Sequence, residues 1–210
     1  MARPRRLVFV GGTATEVGKT WIAAAVLAQL RDAGMRVAAR KPAQSFECGA
    51  GPTDAEELAA ATGEAAKVVC PSHRWYAAAL APPMAAEVLG MPHFTVHDLT
   101  TELVWPGDLD VGVVEGAGGP RSPLAADGDN VALARAIAPD LVLLVADAGL
   151  GTINAVRMSV DAFAGLPLTV VLNRYDEADP LHRANRRWLA EADGFDVAVG
   201  PGGAARRLEG

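Results

Sequence analysis

Short apolar runs alternate with longer segments of helical patterning along most of this 210-residue chain. The apolar runs occupy positions 7–10, 36–40, 110–114, 140–146, 168–172 and 195–199. Runs of this length with few polar positions are typical of strands that are buried on both faces, as in a parallel sheet. We therefore predict six strands at these positions.

The segments between the runs carry helix signals. Gly34 follows an alanine-rich stretch as a helix stop, and Thr53 with Glu56 forms a capping-box pattern. We predict helices at 21–33, 53–61, 93–104, 130–138, 152–163 and 181–192, a loop, short helix and loop over the proline-rich segment 67–92, and a glycine-rich turn at 200–203. The alternation predicts an α/β fold with a mostly parallel sheet flanked by helices, in a single domain over 1–210.

The first strand runs into a glycine-rich loop that ends in Gly18-Lys19-Thr20 and opens a helix. This order is typical of a phosphate-binding P-loop, in which backbone N–H groups surround phosphate oxygens and the lysine adds a positive charge. Thr13 stands where the strict pattern has its first glycine, so the loop from Gly12 is one residue longer than that pattern. We predict a P-loop NTPase-like fold. An ordinary glycine-rich turn would not explain why a threonine follows the lysine.

Composition narrows the classes of function. Half of the residues are apolar and the net charge is −6, which argues against a nucleic-acid partner because such binding needs a basic face. No segment has the roughly 20 apolar residues of a membrane span. Two cysteines do not make a disulfide framework, so we expect a cytoplasmic protein.

Functional groups of an open parallel sheet lie beyond the carboxyl ends of its strands. Glu115 follows one apolar run and precedes glycines, which suits Mg²⁺ beside a nucleotide, with Thr20 as a further ligand. Asp54 lies in the first turn of a predicted helix, where an acid can serve only the helix dipole. From spacing alone its role stays open between dipole and metal.

Other polar residues after strands allow two interpretations. Lys41 could be a surface lysine, Ser45 a loop hydroxyl, and Asn173 either a turn cap or an amide that reads a base edge. No Ser-His-Asp or Cys-His set is visible in the sequence. The pattern therefore favours phosphoryl transfer by positioning and charge, without a covalent protein nucleophile.

Several separated motifs together resemble the dethiobiotin synthetase family. They are the stretch 12–20 (GTATEVGKT), Lys41-Pro42, Ser45, Asp54, the stretch 114–119 (VEGAGG), the stretch 149–154 (GLGTIN) and the stretch 171–173 (VLN). The resemblance runs through the whole chain in order, and the longer P-loop is that family's form. It implies ring-closing carboxylation of 7,8-diaminononanoate with CO₂ and ATP, through a phosphorylated carbamate, in biotin synthesis.

The resemblance also implies roles for individual residues. Catalytic roles fall to Lys41, Lys19 and Thr15, and Mg²⁺ ligation to Thr20, Asp54 and Glu115. The nucleotide is expected at Glu16, Val17, Gly18, Lys19, Thr20, Trp21, Asp54, Glu115, Gly116, Ala117, Gly118, Asn173, Arg174, Pro201, Gly202 and Gly203. The diamine is expected at Thr15, Lys41, Ser45, Gly118, Leu150, Gly151 and Asn154, with the last three reaching across a homodimer interface.

Some residues depart from the family pattern. Phe46-Glu47-Cys48 stands where small residues are usual, and Pro120-Arg121 stands where an aromatic pair can occur. These departures leave open a related synthetase that activates another carboxylate or acceptor. Amidating enzymes of that kind carry a glutaminase domain, for which we expect no room in 210 residues.

Two other classes of protein fit these motifs less well. A nucleotide switch of the ParA/MinD type carries an additional lysine at the start of its loop, and no lysine precedes Lys19 here. An inactive structural homologue would not need Lys19, Lys41 and Glu115 together. The sequence thus favours a ligase.

Overall fold

The computed structural model describes residues 3–209, in which strands and helices alternate. The strands are β1 Arg6–Gly12, β2 Val37–Arg40, β3 Gln44–Ser45, β4 Trp75–Tyr76, β5 Val111–Glu115, β6 Pro123–Ala125, β7 Gly128–Asp129, β8 Leu141–Asp147, β9 Leu168–Asn173 and β10 Val197–Val199. The helices are α1 Lys19–Asp32, α2 Asp54–Thr62, α3 Ala66–Val69, α4 Pro82–Val88, α5 Val96–Thr101, α6 Asn130–Ile137, α7 Thr152–Ala162, α8 Pro180–Arg187 and α9 Gly200–Ala205.

Six strands form one sheet in the order β10-β9-β8-β1-β5-β2, and every pairing in it is parallel. β1 lies in the interior, where Val8 is in register with Val113 of β5 and with Leu141 of β8. Because all six strands run the same way, their carboxyl ends meet at one edge. The loops after β1, β2, β5, β8 and β9 therefore share one side of the molecule.

Both faces of the sheet are covered, which explains why its strands are apolar without alternation. Val8 and Val10 point to one face and join the apolar cluster that α1, α2 and α9 build. Leu7 and Phe9 point to the other face and pack with α6 and with Phe163 after α7. One strand thus supplies buried side chains to two separate layers of helices.

The structure confirms the predicted α/β class and parallel sheet. The six predicted core strands are present within three residues of their expected ends, and the capping box of Thr53 and Glu56 opens α2 as expected. Gly34 follows α1 with a left-handed φ of 86°, as a helix stop should. Local patterning was therefore a good guide wherever an element packs on the sheet.

The predictions were wrong where the chain leaves the sheet. Segment 67–92 holds the end of α3, a 3₁₀ turn at Ser72–Arg74, β4 and α4, so it is more ordered than a loop, short helix and loop. The expected turn at 200–203 is the start of α9, because Gly203 packs tightly against Ala198 and Leu208 beyond it is buried. The helix expected at 93–104 is limited to α5, and the hairpin of β6 and β7 was missed.

The helix expected at 181–192 begins at Pro180 and changes into a π-helical turn over Trp188–Ala192. Among residues 3–209, no helix is long and apolar enough to cross a membrane.

Candidate active site

The loop between β1 and α1 is shaped by left-handed backbone at its end. Gly18 has φ 87° and caps α1 without any side-chain hydrogen bond to the first helical turn. The N–H groups at the start of a helix have no partner within the helix, and the helix dipole adds positive charge there. The start of α1 is thus available to an anion such as a phosphate group.

Lys19 lies across this loop. Its alkyl chain passes so close to Gly12 that a Cβ there would lie 2.9 Å from Cδ of Lys19, and its Nζ donates to the carbonyl of Ala14 at 3.0 Å. The close approach explains why the loop needs a glycine at position 12. Burial, with a smaller contribution from the Lys41 charge, lowers the pKa of Lys19 to about 8.

Two neighbouring residues at the end of β9 fasten the loop to the sheet. Asn173 donates from Nδ2 to the carbonyl of Val17 at 2.9 Å, while its Oδ1 accepts from the N–H of Arg174 at 2.9 Å. Arg174 donates to the carbonyl of Glu16 at 2.8 Å and to Asp147 Oδ2 at 2.9 Å. The bonds to the Val17 and Glu16 carbonyls thus hold the loop in place from the β9 side.

Two carboxylates and a hydroxyl converge beyond the loop. The Thr20 hydroxyl lies 2.9 Å from Asp54 Oδ1 and 2.8 Å from Glu115 Oε1. Asp54 is the first residue of α2, and Glu115 is the last residue of β5. The three residues expected to hold Mg²⁺ are therefore in direct contact, although they come from distant parts of the chain.

Lys41 lies within the same cluster. Its Nζ is 2.6 Å from Asp54 Oδ2 and 2.7 Å from Glu115 Oε1, and it also donates to the carbonyl of Gly116 at 2.9 Å. The Lys41 side chain is 2% exposed, so the surface-lysine interpretation is excluded. Lys41 follows β2, the strand that pairs with β5, and this pairing brings it to Glu115.

The charges shift one another. Burial lowers the pKa of Lys41, but Asp54 and Glu115 outweigh that effect and raise it overall. Lys41 in turn lowers the pKa of Asp54, whereas burial dominates at Glu115 and raises its pKa. The cluster therefore holds an ammonium at neutral pH, with Asp54 as its ionised partner.

The cluster fits a magnesium ion by the chemistry of its donors. Mg²⁺ prefers oxygen ligands and usually takes one or two carboxylates together with phosphate oxygens and water. Glu115 Oε2 is buried and has no hydrogen-bond partner among the described residues, so this carboxylate oxygen is available to bind an ion. Within residues 3–209 no group of three or more His, Cys, Asp and Glu side chains is placed to bind a metal.

The loop after Glu115 is held in place by Asn130, which the sequence did not reveal as important. Asn130 is buried at the start of α6 and accepts from the N–H of Ala117 at 2.9 Å. It also donates to the carbonyls of Ala117 at 2.6 Å and Gly119 at 2.7 Å. A Cβ on Gly116 would lie 2.2 Å from Asn130 Oδ1, so this close contact requires glycine.

Three adjoining cavities surround the cluster. The central cavity, of about 400 Å³, is lined by the P-loop, Lys41, Ser45, Asp54 and Gly118. A second, of about 570 Å³, shares Thr15, Ser45 and Gly118 with it and extends past Phe46 and Glu47. A third, of about 620 Å³, lies on the other side of Gly18 and is lined by Trp21, Asn173, Arg174, Tyr175, Val199, Gly200 and Pro201.

The structure brings most residues of the expected site together, but not all of them. Leu150 is 92% exposed, and Asn154 is exposed with its Nδ2 3.7 Å from Met158 Sδ. Neither lines any of the three cavities. Gly202 and Gly203 lie within α9, beyond the lining residue Pro201.

Among the cavity-lining residues that sequence reasoning missed are Gln44 and Tyr175. Gln44 accepts from the N–H of Ala55 at 3.0 Å and so holds the start of α2, which carries Asp54; its Nε2 is buried without a partner. Tyr175 lines the third cavity, and its buried hydroxyl also has no partner. Gln44 comes directly before Ser45, after a strand end, so its position was the available signal.

Comparison with known proteins adds an independent line of argument. A family model described as an AAA domain matches residues 6–198. The chain is 40% identical over 179 residues to an ATP-dependent dethiobiotin synthetase BioD from Anaeromyxobacter dehalogenans, covering 83% of this chain and 79% of the relative. It is 38% identical over 208 residues to the protein of the same name from Rhodococcus jostii, covering 95% and 88%.

More distant proteins share the fold. Chloroplast FtsY from Physcomitrella patens superposes with a TM-score of 0.53 at 19% identity, covering 95% of this chain and 59% of its own. FtsY, the signal recognition particle receptor from Elizabethkingia anophelis, superposes with a TM-score of 0.59 in its complex with GDP, at 16% identity, covering 98% and 60%. The chain spans about three fifths of these structures, and at such identity the likeness concerns the fold alone.

Proposed function

Because the chain belongs to the family of ATP-dependent dethiobiotin synthetases and is therefore a ligase, we propose that it closes 7,8-diaminononanoate to dethiobiotin with CO₂ and ATP. One observation carries the proposal. Lys41 contacts both Asp54 and the buried Glu115, and Lys41 and Asp54 line a cavity that the P-loop also lines. A phosphate donor at that loop and an acceptor at Lys41 would therefore be neighbours.

ATP is proposed to bind with its phosphates at the start of α1. Backbone N–H groups after Gly18 and the Lys19 ammonium supply the positive charge that this segment of the nucleotide needs. To reach the triphosphate, Lys19 would exchange its contact with the Ala14 carbonyl for a phosphate oxygen. Glu16 and Val17 place their backbone in the same loop, and Ala117 and Gly118, which follow Gly116, line the central cavity together with that loop.

The third cavity is the proposed base site. Trp21 and Tyr175 offer aromatic surface there, and Pro201 lies at its far side. Asn173 has one N–H and one lone pair engaged by backbone, which leaves its second N–H and second lone pair for a base edge. Arg174 lines the same cavity. Gly202 and Gly203 would act through the position of α9.

Thr20, Asp54 and Glu115 are the proposed holders of Mg²⁺, which when bound would neutralise charge on the transferring phosphate. The unpartnered Oε2 of Glu115 is the observation that supports this assignment. Gln44 would keep Asp54 in place through its bond to Ala55.

The acceptor is proposed to lie beside Lys41, Thr15 and Ser45 and to extend into the second cavity, which we call the acceptor cavity. One amine of the diamine takes up CO₂ to give a carbamate, whose oxygen attacks the γ-phosphorus of ATP and releases ADP. The Lys41 ammonium would stabilise the negative charge of the carbamate, as a fixed positive group does at a site of developing charge. Thr15 and Ser45 supply hydroxyls at the wall shared by the two cavities.

Ring closure completes the proposed reaction. The second amine attacks the carbonyl carbon of the phosphorylated carbamate, the C–O bond to phosphate breaks, and phosphate leaves with that oxygen. The amine loses one proton, and a cyclic urea results. No protein nucleophile is needed, which agrees with a cavity whose polar side chains include two lysines, hydroxyls, an amide and carboxylates.

The substrate carboxylate is proposed to be bound across a homodimer interface. Leu150, just before α7, is almost fully exposed, and Met158 on α7 is 67% exposed. This region therefore offers apolar surface to a second copy of the chain. The backbone of Leu150 and Gly151 and the side chain of Asn154 would then reach the partner's acceptor cavity. We place the enzyme in the cytoplasm, which suits its two free cysteines.

The proposed function is tested by measuring product formation. The protein is incubated with 7,8-diaminononanoate, ¹⁴C-bicarbonate, Mg²⁺ and ATP, and acid-stable ¹⁴C is counted together with released phosphate. We expect both to depend on the diamine and to appear in equal amounts. Nucleotide hydrolysis that is independent of the diamine, without acid-stable ¹⁴C, would contradict the proposed function.

A related acceptor is the second candidate. Phe46 and Glu47 line the acceptor cavity where small residues are usual in the family, and the Glu47 carboxylate would favour an additional cationic group. The same ¹⁴C assay with diamines of other chain length and charge separates the two candidates, because the true acceptor should have the highest kcat/KM.

A further inference from the structure

The two carboxylates assigned to Mg²⁺ are already bound by a cation of the protein itself. Lys41 Nζ lies 2.6 Å from Asp54 Oδ2 and 2.7 Å from Glu115 Oε1. The Thr20 hydroxyl lies within hydrogen-bond distance of Asp54 Oδ1 and Glu115 Oε1 and donates to one of them at a time, so three of the four carboxylate oxygens have a hydrogen-bond donor within reach. Of these four oxygens, Glu115 Oε2 is the one that is buried without a partner among the described residues.

An ammonium and Mg²⁺ cannot share these oxygens without strong repulsion. Mg²⁺ binds oxygen at about 2.0–2.1 Å with nearly ideal octahedral geometry. An ion at that distance from both carboxylates would lie within a few ångströms of Nζ, so the two cations would repel each other. The Lys41 and Glu115 side chains are 2% and 0% exposed, whereas the Asp54 side chain is 42% exposed, so screening by water is weak on the Glu115 side.

We propose that the Lys41 ammonium is an internal counter-ion of the Asp54–Glu115 pair, and that Mg²⁺ bound with nucleotide displaces it toward the acceptor. This inference rests on the proposed function, because it uses the same metal site. It goes further by making the position of Lys41 depend on the nucleotide. The lysine would then reach the carbamate only when the phosphate donor is in place.

The surroundings allow such a displacement. Lys41 lines the central cavity together with Thr15, Ser45 and Gly118, which form the wall shared with the acceptor cavity. Its third partner is the carbonyl of Gly116, which belongs to the loop on that side. Rotation about the lysine side-chain bonds can therefore exchange two carboxylate contacts for carbamate oxygens while the backbone after β2 stays in place.

The exchange can be observed directly because the chain has three lysines, Lys19, Lys41 and Lys67. The full chain is labelled with ¹⁵N at lysine Nζ, and the three ammonium signals are followed by NMR. Lys67 is exposed and lines none of the three cavities, so it is the internal control. The signals are assigned with Lys41→Arg and Lys67→Arg.

Mg²⁺ with a non-hydrolysable ATP analogue is then added to saturation. We expect the Lys19 and Lys41 signals to shift and the Lys67 signal to stay unchanged. A shift of Lys19 with an unchanged Lys41 signal would overturn the exchange while leaving the nucleotide site intact. If neither signal moves, nucleotide does not bind at the loop, and the proposed function fails together with the exchange.

A metal-binding assay tests the same inference without nucleotide. Mn²⁺ binding is measured by electron paramagnetic resonance for the wild-type protein, Lys41→Met and the matched control Lys67→Met. We expect Lys41→Met to bind Mn²⁺ at least about tenfold more tightly than the wild type, because its carboxylates have lost their counter-ion. Equal or weaker binding by a folded Lys41→Met would overturn the proposal; if this variant does not fold, the NMR result on the wild type decides.

Discussion

The Nζ atom of Lys41 lies 2.7 Å from Oε1 of Glu115, although 74 positions separate these residues in the chain. The contact follows from the sheet, because β2 and β5 are parallel neighbours and each residue lies at the end of its strand. Both side chains are buried. The lysine proposed to be catalytic and a carboxylate proposed to hold Mg²⁺ are thus joined by the architecture of the sheet.

Replacement of Lys41 and replacement of Lys19 should each stop synthesis, but for different reasons. Lys41→Met is expected to lower kcat by about 10²–10³, the effect of removing one group that stabilises developing charge. Lys19→Met should instead weaken ATP binding, because Lys19 lies across the phosphate loop. Isothermal titration with ATP and Mg²⁺ separates the two variants. Lys41→Met should bind ATP at least as well as the wild type, so a large loss of ATP affinity in Lys41→Met would contradict its assignment to the carbamate.

Gly18→Ala is expected to abolish nucleotide binding. A Cβ at Gly18 would lie 2.1 Å from Asn173 Nδ2, and the residue has φ 87°. Gly34→Ala is the matched control, because Gly34 has φ 86° and no atom within 4 Å of its Cβ position. Both variants should lose about 1–2 kcal/mol of stability from the left-handed backbone. Only Gly18→Ala should also lose ATP affinity; equal ATP affinity in both variants would exclude the steric explanation.

Arg174 should act on ATP binding through the loop as well as through the base cavity. Arg174 holds the phosphate loop through the Glu16 carbonyl and is itself held by Asp147. Asp147 lines neither the central nor the third cavity. Asp147→Asn is therefore expected to raise KM for ATP about twofold to fivefold, since exposed ion pairs contribute up to about 1 kcal/mol. Arg207→Gln breaks another exposed ion pair, with Asp196, and should leave KM unchanged. If Asp147→Asn leaves KM for ATP unaltered, the role of Arg174 in ATP binding is limited to direct contact with the nucleotide.

Leu150→Asp should separate the proposed dimer. Leu150 is 92% exposed, so the substitution should not disturb the fold of one subunit. In sedimentation velocity at micromolar concentration we expect the wild type as a dimer and the variant shifted toward monomer, with loss of diamine affinity. Val88→Asp, at a 69% exposed position on α4, is the control and should behave as the wild type. A monomeric wild type with full activity would refute the cross-subunit role of Asn154.

The sequence was most informative where residues follow strands. The order of apolar runs predicted the parallel sheet, and a parallel sheet brings its carboxyl ends together, so Thr20, Lys41 and Glu115 could be expected on one side. Asp54 remained open from spacing alone, because an acid in the first turn of a helix also favours the dipole. Its contacts with Thr20 and Lys41 add a second role that no local pattern contains.

The rest depended on packing between distant segments. Gln44 and Asn130 hold loops by single buried amides, and such contacts leave no periodic signal in a sequence. Segment 67–92 and α9 were misjudged because their order comes from packing on other elements rather than from local propensity. The pairing of Lys41 with both carboxylates was likewise invisible, since Lys41 and Glu115 were each assigned a separate role.

The central claim is that the phosphate donor and the carbamate meet beside Lys41. It is tested most directly by the fate of one oxygen atom. A single turnover is run with ¹⁸O-labelled bicarbonate, 7,8-diaminononanoate, Mg²⁺ and ATP, and the released phosphate is examined by mass spectrometry. If the carbamate is phosphorylated, one ¹⁸O atom passes into each phosphate. Cyclic urea formed with phosphate that contains no ¹⁸O would contradict the account.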